Sequence, residues 1–161
     1  MPLTNPSEVT VLLQTVVLSD AQIRALPTTP FTIVPAPGVG KKVVPITADI
    51  TLDNQAGAYD ATSSGERFWQ LVYVTAPNPT ETSGLFSVNA LTVAGVWAGS
   101  IPALGTFNAN EGYLQAALTG AENIENTALA IGDVYNGVDD YTGGNAANSL
   151  KVSVLYAIID I

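Results

Sequence analysis

"VPAPGVGKKVVPITADITL", Val34 to Leu52, admits two readings that lead to different folds. If Gly38-Val39-Gly40-Lys41-Lys42 cradles a phosphate, a helix must come next and the chain is α/β. If the same residues are only a turn, a strand comes next and the chain is β. A phosphate loop runs glycine, four residues, Gly-Lys and a hydroxyl residue, and it opens a helix. Counting back from Gly40 puts Pro35 where the first glycine belongs, and Lys42 takes the place of the hydroxyl. Pro45 obstructs a helix, so no helix N-terminus is available to hold an anion. The residues after the lysines alternate instead. Val44, Ile46, Ala48, Ile50 and Leu52 fall on one face, and Pro45, Thr47, Asp49 and Thr51 on the other. Period two is the signature of a half-buried strand, and Pro45 belongs at a strand start or a sheet edge. The glycines then read as a flexible turn, and the two lysines discourage edge-to-edge pairing.

The flanking segments read the same way. Val9–Leu18 is β-branched and apolar, a strand. Ser19 is a candidate N-cap with Gln22 at N3 and a Leu18–Ile23 staple. Asp20 suits the first turn, and Pro27 halts the helix after Asp20–Ala25. Extended structure resumes over residues 30–34. Residues 54–66 form a loop, and Arg67–Thr75 is an aromatic strand. Phe86, Val88 and Ala90 alternate with Ser87 and Asn89. Short strands are expected over Tyr113–Leu118 and Ala128–Tyr135, with a long loop over Gly137–Ser149. Leu150–Ile161 closes the sequence as a strand, alternating in its first half and apolar on both faces in its second, which implies burial on both. Many short strands, turn signals between them and one short helix near residues 20–25 predict an all-β fold, a β-sandwich or jelly roll. No internal repeat or linker divides the chain. Residues 9–161 read as one domain and residues 1–8, with two prolines, as an extended N-terminal arm.

Composition removes whole classes of function. Charged residues make up 12% of the 161, against about 25% in an average soluble domain. Thr, Ala, Asn, Gly and Pro fill the surface, which is then easily buried against a neighbour. The net charge is −9, and the cations are Arg24, Lys41, Lys42, Arg67 and Lys151. Nucleic acid and acidic membrane surfaces both require clustered cations, so neither is expected as a partner. No apolar run reaches the roughly 20 residues of a membrane span, and Met1–Glu8 lacks the features of a signal peptide. Synthesis in a cytosol is expected.

The chain has no histidine and no cysteine. This excludes Ser-His-Asp and Cys-His chemistry, thiolate metal sites and disulfides. Carboxylate chemistry remains, as in glycosidases, but the acids are spread singly between strands. The one cluster is Asp133, Asp139 and Asp140, where oxygen ligands could hold a cation; a solvated loop is the simpler reading. Trp69, Tyr73, Phe86, Trp97 and Tyr156 could form a carbohydrate platform. Trp69 and Tyr73 share a strand face with Leu71, which points to core packing. No catalytic, cofactor-binding or metal residue is assigned.

Two phrases carry a resemblance. "LSDAQIRALPTTPFTIVPAPGVGKKVVP" (Leu18–Pro45) and "YTGGNAANSLKVSVLYAIIDI" (Tyr141–Ile161) resemble the N-terminal part and the C-terminal strand of small proteins encoded near tailed-phage structural genes. Those proteins look like capsid cement or decoration proteins. The resemblance implies a non-enzymatic virion protein with no cofactor, made in the host cytoplasm and placed on the capsid exterior. It implies self-association, as a homotrimer, and binding to the major capsid protein. Two alternatives stand beside it: a tail-fibre, spike or glycan-binding β-domain, and a carboxylate-based glycan hydrolase.

Overall fold

A computed structural model describes residues 10–60, 68–74, 80–81, 86–87, 91–102, 124–133 and 140–160. The chain is all-β and sandwich-like, with one short helix. The arm at residues 1–8, the strand expected over 113–118 and Asp139 lie outside the described residues.

The order of elements is β1 (Val11–Ser19), α1 (Asp20–Ala25), β2 (Phe31–Val34), β3 (Lys41–Asp53), β4 (Tyr59–Asp60), β5 (Phe68–Tyr73), β6 (Thr80–Glu81), β7 (Phe86–Ser87), β8 (Val96–Pro102), β9 (Leu129–Asp133), β10 (Thr142–Gly143) and β11 (Ser149–Asp160). All pairings are antiparallel. One sheet runs β1-β11-β3-β8. A second runs β2-β9-β5-β6, with β7 also on β5, and β10 pairs with β4 in a small third sheet.

The core lies between the two larger sheets. Leu18, Ile50, Leu52, Leu150, Val152 and Val154 come from the first; Ile33, Trp69, Leu71, Tyr73, Leu129 and Ile131 come from the second. The Tyr73 hydroxyl ties the layers together by donating to the Val43 carbonyl at 2.5 Å, with both residues buried. β5 is buried on both faces, because Gln70 and Val72 are buried as well as Trp69, Leu71 and Tyr73. A Cβ on Gly132 of the neighbouring β9 would meet Pro30 and Val72, which places Pro30 over that outer face.

β3 corrects the simple alternation. Ala48, Ile50 and Leu52 do point inward, but beyond them the buried residues are Lys42, Val43 and Pro45, while Val44 and Ile46 are half-buried. A β-bulge causes the switch. Leu155 pairs with Thr47 and Tyr156 with Pro45, so Ile46 is the extra residue. One inserted residue moves every later side chain to the opposite face. Pro45 sits past the end of β8, whose pairing with β3 covers Thr47–Asp53, so its missing N–H costs no ladder bond on that side.

α1 spans the residues expected from its signals. Ser19 and Gln22 form a capping box, in which Gln22 Oε1 accepts the Ser19 backbone N–H at 2.9 Å, and the Ser19 hydroxyl also donates to that oxygen at 3.0 Å. Leu18 and Ile23 are fully buried, and Arg24 bridges back to Asp20 at 2.9 Å. β11 lies inside its sheet, between β1 and β3. Leu150, Val152, Val154 and Tyr156 face the core, and Leu155 and Ile159 are half-buried on the outer side.

Candidate functional site

The glycine-lysine loop forms a closed clasp. Gly38 and Gly40 have φ of +104° and +75°, a region that glycine enters without a Cβ penalty. Lys41 N–H donates to the Gly38 carbonyl at 3.2 Å, so Gly38–Lys41 is a turn, and β3 begins at once. The amides that a phosphate would need are already engaged. Gly38 N–H donates to Asn126 Oδ1 at 2.9 Å and Gly40 N–H to Glu125 Oε1 at 2.5 Å. Asn126 N–H returns a bond to the Lys41 carbonyl at 2.8 Å. A carboxylate of the same chain therefore sits where a nucleotide phosphate would have to sit. Asn126 takes φ of +51° to reach the loop, a conformation that asparagine tolerates better than most residues. Sequence reasoning missed Glu125 and Asn126. They lie some 85 positions downstream, and the only local signal is a polar turn sequence.

A second polar group gathers where α1 meets β4 and β10. Asp20, Tyr59, Tyr141, Asp133 and Asn148 are all buried there. The Trp69 indole N–H donates to the Tyr141 hydroxyl at 3.2 Å, and that hydroxyl donates to Asp133 Oδ2 at 2.8 Å. The Tyr59 and Tyr141 rings lie 6.5 Å apart, tilted by 53°. Several backbone bonds end on the last turn of α1. Tyr141 N–H donates to the Arg24 carbonyl, Thr28 and Thr29 N–H to that of Ala25, and Asp133 N–H to that of Leu26. These satisfy carbonyls that a helix end leaves open. The cluster thus docks a helix of under two turns onto the sandwich.

Part of this group is left without hydrogen bonds. Asp20 Oδ1, Arg24 Nε, the Tyr59 hydroxyl and Asn148 Oδ1 are buried and unpaired, as is Gln70 Oε1. Burial pushes the Tyr59 phenol well above its ordinary pKa, and the neighbouring Asp20 carboxylate raises it further against the opposing pull of Asn148. Gly144, at φ +78°, closes over the group, and a Cβ there would run into Asp20 Oδ1 and the Tyr59 ring.

The remaining candidates separate. Asp133 turns inward to Tyr141, whereas Asp140 is exposed and accepts from Thr28 Oγ1 at 2.5 Å. Among the described residues no group of three or more acids gathers where it could hold a metal. Asp49 accepts from the Ser100 hydroxyl at 2.6 Å, and Asp53 from the Gln55 amide N–H at 3.2 Å. Trp69 and Tyr73 are core residues and Tyr156 is buried beside them, while Trp97 is 36% exposed at the edge strand β8 and donates its indole N–H to the Val93 carbonyl. These aromatics do not make one platform. No protein-family model matches the chain, and no curated protein matches it.

Proposed function

We propose that the chain is a structural virion protein that decorates a tailed-phage capsid, binding the major capsid protein on the outer shell as a homo-oligomer. One observation carries the reading furthest. The two phrases that resemble decoration proteins, Leu18–Pro45 and Tyr141–Ile161, pack together as one unit. Leu18 pairs with Leu150 on β1 and β11, and Lys41–Pro45 pair with Tyr156–Asp160 on β3 and β11. Tyr141 N–H bonds the Arg24 carbonyl. A resemblance scattered over separate surfaces would mean less than one concentrated in a single contact set.

The surface supports the same reading. Val11, Leu13, Val17, Val39, Val93 and Val96 are each more than half exposed, in a chain with few charges to desolvate. Three of these, Val11, Leu13 and Val17, lie on one strand, β1, and offer apolar surface that another protein could cover. Labelled-particle imaging tests the proposal together with copy number per virion. Hundreds of copies over the head are expected. A few copies confined to the tail would replace the proposal with the fibre or spike reading.

A further inference from the structure

Among the described residues, the outer edge of β1 differs from the other strand edges. β1 ends the β1-β11-β3-β8 sheet, and among the described residues its one strand partner is β11. That pairing runs unbroken from Val11↔Ala157 to Ser19↔Ser149, while the β3–β11 and β2–β9 pairings each contain a register shift. β1 holds neither lysine nor proline, and no ionisable residue at all. Val11 is 51% exposed, Leu13 67% and Val17 62%. Edge strands are ordinarily kept short, charged, bulged or covered, because an open row of N–H and C=O groups templates pairing with another strand. The other described edges follow that rule. β2 has four residues between Pro30 and Pro35, β6 and β7 have two each, and β8, uncharged and unbroken like β1, is shorter at seven residues and ends in Pro102.

We infer that β1 is a self-association edge, pairing antiparallel with β1 of a second copy across a twofold axis at Thr15 to make a continuous eight-stranded sheet. Charge selects the occupant. Two chains of net charge −9 repel wherever their acids meet, and β1 is a nine-residue stretch where a second copy meets none. The sequence selects the register. A twofold axis perpendicular to the sheet keeps outer residues opposite outer residues. Centred on Thr15, the middle residue of β1, it sets Leu13 of each copy against Val17 of the other and Thr15 against Thr15. On the inner side Leu12 opposes Leu18, already buried in its own chain, and Gln14 opposes Val16. Cross-strand apolar pairs and Thr–Thr pairs both stabilise a sheet. A shift by two residues in either direction breaks the Leu13–Val17 match and leaves end residues unpaired. The edge is about 30 Å long, less than the standard interface of about 800 Å² per partner requires. A contact of this size points to a weak, concentration-dependent dimer. The contact does not depend on the virion reading.

The absence of cysteine makes the test direct. In the full chain, Thr15→Cys places the two new thiols opposite each other across the axis, within disulfide reach. Val11→Cys places them about 27 Å apart, eight residues along the strand. Mild oxidation should convert most of the Thr15→Cys protein to a covalent dimer and leave Val11→Cys unlinked. Sedimentation should show the wild type passing from monomer to dimer over micromolar concentrations. Leu13→Lys, at an exposed position, should stay monomeric with an unchanged circular dichroism spectrum. A wild type that stays monomeric throughout, an assembly of another order, or equal cross-linking from both cysteine variants would overturn the proposal. The cross-linking comparison stands even if Leu13→Lys fails to fold.

Discussion

Replacing Tyr73 with phenylalanine removes one oxygen from the seam between the sheets. Its hydroxyl lies 2.5 Å from the Val43 carbonyl, in a place where Tyr73 is 1% exposed and Val43 not at all. Water cannot take over the donor's role there. Burial also holds the phenol in its protonated, donating form well above the ordinary tyrosine pKa. Stranding a buried acceptor costs about 1–3 kcal/mol. For a chain of this size that lowers Tm by roughly 2–12 °C. Tyr59→Phe is the internal control. Tyr59 is equally buried, but its hydroxyl lies beside Asp20 and Asn148 without a well-formed hydrogen bond, so its removal should cost less than that of the Tyr73 hydroxyl. Urea unfolding measured by tryptophan fluorescence, with both variants at one pH, gives the comparison. A Tyr73→Phe protein as stable as wild type, or a Tyr59→Phe protein less stable than Tyr73→Phe, would refute the assignment of the seam to this bond.

Three other outcomes are expected. Gly144→Ala should cost at least about 2 kcal/mol in chemical unfolding, since it adds a steric conflict with Asp20 and Tyr59 to the strain at φ +78°; Gly38→Ala, with open space around it, should cost only the backbone part, about 1 kcal/mol. Gln22→Ala should destabilise by about 1 kcal/mol in thermal melts and by more than Ser19→Ala, because the Gln22 oxygen receives both Ser19 donors. Stability should be flat in the neutral range and fall above about pH 10, where tyrosines of the unfolded chain ionise. Tyr59 and Tyr73 keep their protons to higher pH in the fold, so the unfolded state loses protons first and gains stability as pH rises. Urea midpoints that stay level from about pH 9 to about pH 11.5 would contradict this.

The parts of the fold legible in the sequence are those fixed within a few residues. α1 is set by Ser19, Gln22 and Pro27, and its bounds match. β1, β3, β5, β9 and β11 arise from apolar runs and alternation. The bulge at Ile46 was not legible, because an unbroken alternation from Val44 to Leu52 describes a straight strand equally well. It arises from pairing with Leu155 and Tyr156, more than a hundred positions away. The two-residue strands β4, β6 and β10 are too short to show a period. The buried group around Tyr59 joins Asp20, Asn148 and Gly144, which share no spacing that local chemistry could reveal.

The clasp at Gly38–Lys41 shows how a motif can keep its physics and lose its usual ligand. Glycines at positive φ turn successive amides toward one side, and such amides attract negative charge. That attraction is satisfied here by Glu125 and Asn126, which pin the β2–β3 turn to the turn that opens β9. A free phosphate would have to displace an intramolecular carboxylate and bring further negative charge beside it. Lys41 is exposed at this turn, so it can moderate the charge of Glu125 without the loop ever binding a nucleotide. The glycine pair with its lysines is therefore explained by chain geometry and by one internal anion. The same fragment that suggested a phosphate cradle is a fastening between the two sheets.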